Sequence, residues 1–412
     1  MTETVLFVSP TGTMDNGAEI SIFYLMKSMV EKGYRVLNAF PNYHVPIQEE
    51  YKSKMKEVGV EVFGLSASKW WWEEAPGGLP GTHYQRVQAY QKNIQDLREV
   101  IKNQKVDLVI TNTVNVFQGA VAAAYENIRH FWLIHEFPEG EFGYYREKLD
   151  FIDHFSDEIF AVTGALAVEL QSLFPHRTVH TFAPYTEIKT EEYLFQENKN
   201  HRVVSIGRIT ERKNQLELIK AFKDLPDLQL IFIGDCDLDY KERCNQYIIE
   251  NRMKNVHFLG YQNNPWSEVS QSDIAVFPSS METFGLVYIE SILHGIPTIL
   301  SDNRGHVSAY EYMGREGQLY PLGDIKTLKD LILEFIKDFK VKKMNSLHNL
   351  SLLQNRYSLP TVYQSIFEEI KNTKNIKIKN LENYMVFLQV NKTILDYIKE
   401  FLKSLLTLKK IR

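Results

Sequence analysis

The chain has 412 residues, a length that predicts two or three domains rather than one. Hydrophobic residues make up 44% of the chain and charged residues 24%, so it can bury a core and is not a disordered, collagen-like or low-complexity protein. The formal net charge of −5 provides no global attraction for nucleic acid, and a nucleic-acid partner is not expected.

The cysteine content and the apolar patterning bear on the cellular compartment. Cys236 and Cys244 are too few for a disulfide framework or a four-cysteine zinc site, which favours reduced thiols in the cytoplasm. The N-terminus lacks the basic region and the long apolar region of a signal peptide, and no run of 18 apolar residues occurs. We therefore expect a cytoplasmic protein, with any membrane contact peripheral and at the inner face.

Short apolar runs alternate with helical patterns in the first half of the chain. Six of these runs predict strands: Val5–Val8, Arg35–Phe40, Val60–Phe63, Val106–Ile110, Phe131–Ile134 and Glu158–Val162. Helical periodicity lies between them, for example over residues 18–31 and 87–102. This alternation predicts a parallel, doubly wound α/β sheet.

The pattern lapses into a polar linker over residues 186–200 and then starts again. The strands predicted in the second half are Arg202–Ile206, Gln229–Ile233, Asn255–Phe258, Asp273–Phe277 and Pro297–Leu300. We expect two Rossmann-like domains, residues 1–190 and 200–355, which face each other across a cleft. Since ligands bind at the carboxyl ends of the strands in such sheets, the site should draw residues from both halves.

Two cations follow the first strand of the second half. Gly207 and Arg208 come directly after this strand, and Lys213 stands at the start of the next predicted helix. An arginine, a lysine and a helix N-terminus at one point favour a site for a di-anion such as a pyrophosphate. The alternative is that both cations are solvated on a loop.

Two glutamates flank the start of a later helix. Glu282 lies in the loop after the strand Asp273–Phe277, and Glu290 lies about two turns into the helix that opens near Gly285. Gly285 allows close approach of the backbone to a ligand, and the free amides of the helix start can donate to an anion or a hydroxyl. One carboxylate could bind sugar hydroxyls and the other a ribose diol. An isolated pair of glutamates at this spacing is more often solvent-exposed and without a binding role.

These motifs together resemble glycosyltransferase family 4, a group of retaining enzymes with the GT-B fold. The resemblance rests on Gly207-Arg208, Lys213-Asn214, the segment from Glu282 to Glu290 with seven residues between the glutamates, and Gly295-Ile296-Pro297. In the N-terminal half it is carried more weakly by Asp15 to Glu19 and by His135-Glu136. The glycines of the first loop, Gly12 and Gly17, are separated, whereas the family commonly has adjacent ones.

The resemblance implies roles for particular residues. Arg208 and Lys213, after Gly207, would hold the donor diphosphate and offset its growing charge, and Glu282 would bind hydroxyls of the donor sugar. The other implied donor-site residues are Phe284, Gly285 and Leu286 through their amides, Glu290 at the ribose, Tyr261 near the base and Gly17 facing the diphosphate. His135 would sit beside the reacting sugar.

The resemblance also implies the overall activity. We expect transfer of a sugar from a nucleotide-sugar donor to a glycan, a lipid-linked acceptor or a protein, in polysaccharide or glycoconjugate biosynthesis. A catalytically silent GT-B subunit that binds glycan or stabilises a partner transferase is an alternative, and a sugar-nucleotide epimerase is a second one. No cofactor and no metal are expected, because fixed cations and helix amides can stabilise the leaving group.

The segment Asp235-Cys236-Asp237 superficially matches the Asp-x-Asp metal motif of another transferase fold. It follows a predicted strand directly, at the start of a helix. Carboxylates at a helix start are commonly caps, and we favour that interpretation over a metal site.

Three consecutive tryptophans, Trp70 to Trp72, precede a loop-like stretch in the N-terminal half, which is the acceptor side in GT-B enzymes. They cannot all point into one core, so at least one should be exposed or line a cleft. Sugar stacking or lipid contact is one interpretation, and packing against a helix is the other.

The C-terminal region departs from the family pattern. Residues 356–370 resemble the helix that crosses back to the first domain, and residues 371–412 form a tail with ten basic and three acidic residues. Over residues 381–412 the tail has the pattern of a basic amphipathic helix. Such a helix contacts a membrane surface, a partner subunit or an acidic domain, and the sequence leaves these alternatives open.

Overall fold

The structure, a computed structural model, describes residues 3–67, 70–75, 81–188, 201–372 and 378–382. The described residues fall into two compact units. The first contains the residues up to Ala161, residues 170–180 and those from Glu368 onward, and the second contains residues 162–169 and 181–367. The two units are therefore defined by their internal contacts, and each is built from more than one segment of the chain.

The first sheet has the strand order β3-β2-β1-β4-β5-β6-β7, and the pairings from β3 to β6 are all parallel. Its strands are β1 (Thr4–Val8), β2 (Arg35–Pro41), β3 (Glu61–Leu65), β4 (Leu108–Asn112), β5 (Arg129–Ile134), β6 (Glu158–Val162) and β7 (Val179–Phe182). The helices along this part of the chain are α1 (Gly17–Glu31), α2 (Pro46–Glu57), α3 (His83–Gln104), α4 (Gln118–Tyr125), α5 (Leu149–Phe155) and α6 (Ala165–Leu173), with a 3-10 helix over Gly140–Lys148.

The second sheet has the order β10-β9-β8-β11-β12-β13, again with parallel pairings. Its strands are β8 (Arg202–Ile206), β9 (Gln229–Ile233), β10 (Val256–Phe258), β11 (Ile274–Phe277), β12 (Thr298–Ser301) and β13 (Gln318–Tyr320). The helices that follow these strands are α7 (Gln215–Phe222), α8 (Leu238–Glu250), α9 (Leu286–Leu293), α10 (Arg304–Tyr312) and α11 (Ile325–Lys337), with 3-10 helices over Glu211–Lys213 and Pro265–Glu268.

The predicted central strands are observed within two residues of their expected bounds, and burial explains why. All of β1, β4, β6 and β11 is buried, and each of these strands contains a run of at least three apolar residues, as is typical of sheets covered on both faces. The edge strands β7 and β13 were not predicted from the sequence. They contain four and three residues, with few apolar side chains, which is too short for a periodic signal.

Four helices close the described chain: α12 (Phe339–His348), α13 (Leu350–Arg356), α14 (Leu359–Val362) and α15 (Gln364–Lys371). Residues 356–370 thus form two short helices rather than the single predicted one. Pro360 lies in the first turn of α14. Backbone N–H groups there have no partner within the helix, so the missing N–H of proline costs no hydrogen bond. Between α13 and α14, the Tyr357 hydroxyl donates to the carbonyl of Pro184 at 2.6 Å.

The end of α15 is fastened within the first unit. The guanidinium of Arg129, at the start of β5, donates to the backbone carbonyls of Glu369 and Ile370 at 2.7 and 3.1 Å. The amphipathic segment predicted over residues 381–412 lies outside the described residues from position 383 onward. No helix in the described part of the chain has both the length and the apolar character needed to cross a membrane.

In each sheet, the order in which the chain adds strands reverses at the central strand pair. In the first sheet the chain order reverses between β1 and β4, and in the second between β8 and β11. Loops that leave neighbouring strands toward opposite faces open a crevice at such a point. The functional residues of each unit are therefore expected at these two strand pairs.

The loop after β1 depends on a glycine that no other residue can replace without strain. Gly12 has a φ of 65°, and a Cβ there would lie 2.2 Å from Cδ2 of Phe40. We expect Gly12→Ala to lower the free energy of unfolding of the first unit by about 1–3 kcal/mol more than Gly33→Ala, through overpacking. Gly33 has a φ of 89° with no atom near a built Cβ, so its replacement tests the backbone strain alone.

Urea unfolding followed by tryptophan fluorescence measures this difference, because four of the five tryptophans belong to the first unit. Equal unfolding midpoints for Gly12→Ala and Gly33→Ala would contradict the expected clash with Phe40.

Candidate functional site

In the second unit, the turn after β8 is joined to the loop between β11 and α9. Thr210 caps the 3-10 turn that contains Lys213 by accepting from its backbone amide. The amide and hydroxyl of Ser280 donate to the Arg212 carbonyl at 2.8 and 3.0 Å, and the Asn214 side chain donates to the Pro278 carbonyl at 3.2 Å. The two loops therefore form one platform at the carboxyl ends of β8 and β11.

An ion pair between Lys213 and Glu282 lies at the centre of this platform. Nζ of Lys213 is 2.5 Å from Oε1 of Glu282, and the two side chains are 20% and 9% exposed. Burial opposes ionisation of Glu282, but the charge of Lys213, helped by Arg212, holds its pKa at about 2. Glu282 is thus a carboxylate at neutral pH, with an ammonium group held against it.

The start of α9 follows Glu282 directly. Gly285 is the N-cap of α9 with a φ of 93°, a left-handed conformation that favours glycine. The side chain of Phe284 is buried against Tyr312, so only its backbone could reach a ligand. Leu286 is the first helical residue and is partly exposed. The three residues predicted to offer amides therefore do stand at a helix start beside Glu282.

Glu290 has a different environment from Glu282. Its two carboxylate oxygens accept hydrogen bonds from the Thr186 hydroxyl at 3.1 Å and from Nε1 of Trp266 at 2.8 Å. Burial raises the pKa of Glu290, and these two hydrogen bonds oppose the rise. A ribose diol would have to share or displace these donors.

A small cavity gathers several of the predicted residues. Lys213, Glu282 and Gly285 line this cavity together with Ser279 and His306. Arg208, Tyr261 and Glu290 are not among the described residues that line it. The side chain of Arg208 is exposed and makes no hydrogen bond to a described residue, and Tyr261 is 70% exposed on the loop after β10.

Gly234, after β9, allows two loops to meet at the end of β8, because a Cβ at this position would lie 2.2 Å from the Gly207 carbonyl oxygen. Gly207 itself has a φ of 140°, a backbone conformation that favours glycine. The contact between the two glycines places the loop after β8 against the loop after β9. Arg208, the next residue, projects from this junction into solvent.

In the first unit, Gly17 begins α1 and the loop before it is organised by Glu19. Oε1 of Glu19 accepts from the amide and the hydroxyl of Thr11 at 3.1 and 2.7 Å, and the Asn16 side chain caps α1 by accepting from the Glu19 amide. Glu19 is fully buried, and burial raises its pKa to about 7. The sequence drew attention to Gly17 but did not single out Glu19, the residue that shapes the loop.

The same loop is held by two of the three tryptophans. Nε1 of Trp70 donates to the Ser9 carbonyl and Nε1 of Trp71 to the Pro10 carbonyl, both at 2.9 Å. Trp70 and Trp72 are buried, and Trp72 stacks on Phe117 with ring centroids 3.9 Å apart. Only Trp71 is partly exposed, so packing accounts for most of this motif.

His135 follows β5 and is buried beside the end of β4. Its Nε2 lies 2.9 Å from Oδ1 of Asn112, and its amide donates to Oε2 of Glu136 at 3.1 Å. Burial lowers the pKa of His135 to about 3 and raises that of Glu136 to about 7. A neutral imidazole that donates through Nε2 follows from this geometry.

The Asp235-Cys236-Asp237 segment is at a helix start, as the capping interpretation requires. Asp237 is the N-cap of α8, and its carboxylate accepts from the Tyr240 amide at 2.9 Å. The described residues contain one cluster that could hold a metal ion, Glu158, His180 and Glu369 in the first unit. There His180 is already paired with Glu158 at 3.1 Å.

The chain is similar to known proteins in the sequence of its second unit and, at the level of the fold, over most of its length. Residues 187–349, less than half of the chain, match the family model described as "Glycosyl transferases group 1". The matched range contains Arg208, Lys213, Glu282 and Glu290.

Two relatives and one solved structure extend this match. The chain is 26% identical over 196 residues to the capsular polysaccharide biosynthesis glycosyltransferase CapM of Staphylococcus aureus, covering 47% of this chain and 50% of that protein. It is 25% identical over 248 residues to the N-acetyl-alpha-D-glucosaminyl L-malate synthase of Bacillus anthracis, covering 54% and 62%. The matches thus cover 50% and 62% of the two relatives' own lengths.

The crystal structure of Anabaena HepE in complex with UDP and glucose superposes with a TM-score of 0.69 at 19% identity, covering 90% of this chain and all of that one. The predicted fold is confirmed: the chain has the GT-B fold, two Rossmann-like units followed by C-terminal helices.

The Lys213–Glu282 ion pair predicts how stability depends on pH. Because the pKa of Glu282 is about 2 in the folded state and 4.5 when unperturbed, its ionised form stabilises the fold above pH 4.5. This contribution, on the order of 3 kcal/mol, is lost as the pH falls from 4.5 toward 2. In Lys213→Met the pKa of Glu282 rises, so less stability is lost on acidification.

Urea unfolding of the wild type, Lys213→Met and the exposed-lysine control Lys223→Met at pH 7 and pH 3 measures this effect. Lys223→Met should retain the acid sensitivity of the wild type. A Lys213→Met variant that loses as much stability as the wild type between the two pH values would disprove the coupling.

The capping role of Asp237 predicts a second set of results. Asp237→Ala should lower the free energy of unfolding by about 1 kcal/mol, whereas Asp237→Asn keeps a capping side chain and should cost much less. Addition of Mn²⁺ or EDTA should leave the melting temperature of the wild type unchanged. A rise in melting temperature with Mn²⁺ that Asp237→Asn removes would indicate a metal site instead.

Proposed function

We propose that the protein is a glycosyltransferase that moves a sugar from a nucleotide-sugar donor to a glycan, lipid-linked or protein acceptor, in polysaccharide or glycoconjugate biosynthesis. The observation that carries the proposal is the buried Lys213–Glu282 pair beside the left-handed Gly285. A cation, a carboxylate and free helix amides around one cavity suit a diphosphate joined to a polyhydroxylated ring. The family match over this unit and the glycosyltransferases among the relatives support it.

The reaction follows from where charge develops. The bond between the sugar's anomeric carbon and the diphosphate oxygen breaks, and an acceptor oxygen forms a new bond to that carbon. The positive charge of Lys213 and Arg208 would offset the charge of the leaving diphosphate, while Glu282 would accept hydrogen bonds from sugar hydroxyls. The acceptor proton would pass to the departing phosphate oxygen, so that no metal and no cofactor is needed.

Finer assignments are part of the same proposal and rest on the sequence resemblance. They are membership in family 4, retention of the anomeric configuration, Glu290 at the ribose, Tyr261 near the base, Gly207 and Gly17 at the diphosphate, and His135 beside the reacting sugar. The neutral imidazole of His135, held by Asn112, is compatible with a hydrogen bond to a sugar. A cytoplasmic location, with residues 381–412 on the membrane or a partner subunit, is proposed from the sequence pattern.

Arg208 provides the cleanest mutational test. Since its side chain is exposed and makes no hydrogen bond to a described residue, Arg208→Ala should leave the melting temperature unchanged. Loss of one positive charge at the leaving group should lower the transfer rate at least about 100-fold. The exposed-residue control Lys223→Ala should change neither quantity.

The assay measures release of nucleoside diphosphate from UDP-glucose, UDP-N-acetylglucosamine and GDP-mannose, with and without sugar acceptors. Full activity of Arg208→Ala would contradict the role of this residue. A wild type that binds these donors without turnover would favour the silent-subunit alternative, and an isomerised sugar still attached to its nucleotide would favour the epimerase.

A further inference from the structure

A buried histidine that the sequence did not single out lines the cavity that contains the Lys213–Glu282 pair. His306 is in the first turn of α10, 2% exposed, and lines the same cavity as the ion pair. One edge of its ring packs against Gly285, where a built Cβ would lie 2.9 Å from Cδ2 and 3.3 Å from Nε2 of His306. The imidazole therefore occupies the space that a side chain at position 285 would need.

The position of His306 is fixed by the start of α10. Oδ1 of Asn303 caps this helix by accepting from the amides of Gly305 and His306, and Nδ2 of Asn303 donates to the Ser279 carbonyl at 2.9 Å. A Cβ on Gly305 would lie 2.0 Å from the carbonyl oxygen of Glu282. The backbones of the helix start and of the Glu282 loop are thus in direct contact, which leaves His306 little freedom.

The two ring nitrogens of His306 differ in their partners. Nδ1 lies 2.9 Å from Nδ2 of Asn303 and 3.1 Å from both the carbonyl oxygen and the hydroxyl of Ser301. Nε2 makes no hydrogen bond to any described residue. A buried polar nitrogen at a cavity wall is expected to find its partner in whatever fills the cavity.

The charge state of His306 indicates the kind of partner. Burial lowers its pKa to about 4, and Lys213 lowers it further while Glu282 opposes the shift. The ring is therefore neutral at physiological pH. A neutral imidazole forms a hydrogen bond with a hydroxyl but adds no charge for a phosphate, for which Lys213 and Arg208 are better suited.

We infer that His306 is a donor-sugar recognition residue, whose Nε2 hydrogen-bonds a hydroxyl of the transferred sugar next to those bound by Glu282. This inference rests on the proposed function and goes beyond it by assigning the part of the cavity wall formed by His306 to the sugar rather than to the diphosphate. His306 is absent from the motifs that carry the sequence resemblance.

The test separates sugar recognition from nucleotide recognition. Dissociation constants are measured for UDP and UDP-glucose, or for GDP and GDP-mannose if the wild type prefers that pair. In His306→Phe, which keeps an aromatic ring but removes Nε2, we expect at least 10-fold weaker binding of the nucleotide sugar and unchanged binding of the free diphosphate. His306→Gln, which restores a polar group, should recover part of the loss.

Donor analogues that each lack one hydroxyl identify the contact. The analogue without the recognised hydroxyl should bind the wild type and His306→Phe equally, whereas the other analogues should still distinguish the two proteins. His257→Phe, at an exposed position in the same unit, is the matched control and should change neither constant. Melting temperatures show whether each variant is folded, and His306→Gln carries the same comparison if His306→Phe is not.

The outcomes distinguish the two proposals. Equal weakening of the diphosphate and the nucleotide sugar, or no weakening of either, would overturn the role of His306 and leave the proposed function intact. A wild type that binds none of these nucleotides or nucleotide sugars would overturn the proposed function and the role of His306 with it.

Discussion

The arrangement of the second unit depends on one buried charge, the carboxylate of Glu282. A carboxylate this deeply buried stays ionised chiefly because the ammonium of Lys213 is 2.5 Å away. The pair therefore acts as a structural clamp between the loops after β8 and β11, reinforced by the contact of Ser280 with Arg212. The same two charges would be the functional groups, so stability and function share one interaction.

Around this pair, backbone geometry brings polar groups together that are far apart in the sequence. Gly285 and Gly305 allow the start of α9, the Glu282 loop and the start of α10 to approach at distances that a Cβ would prevent. Asn303 connects the same helix start to the end of β11 through Ser279. As a consequence of these contacts, His306 is held in the wall of the cavity that contains the ion pair.

The sequence predicted the central strands and the residues of the ion pair, but not their surroundings. Buried parallel strands are visible in the sequence as apolar runs. Lys213 and Glu282 belong to motifs with a recognisable residue spacing. The edge strands β7 and β13 were missed because they are short and half polar. His306 and Glu19 were missed because an isolated histidine or glutamate has no pattern, and its burial depends on distant loops. Gly305, directly before His306, was the one feature of the sequence that could have drawn attention to His306.

The sequence by itself determined the fold class and the strands and loops that carry the charged residues. Local periodicity reflects burial on both faces of a parallel sheet, and this information is contained in short segments. Only the tertiary structure decided that Glu282 is ionised and that His306 shares a cavity with Lys213. Ionisation depends on burial and on the nearest charges, and the charge nearest to Glu282 comes from Lys213, which is 69 residues away in the chain.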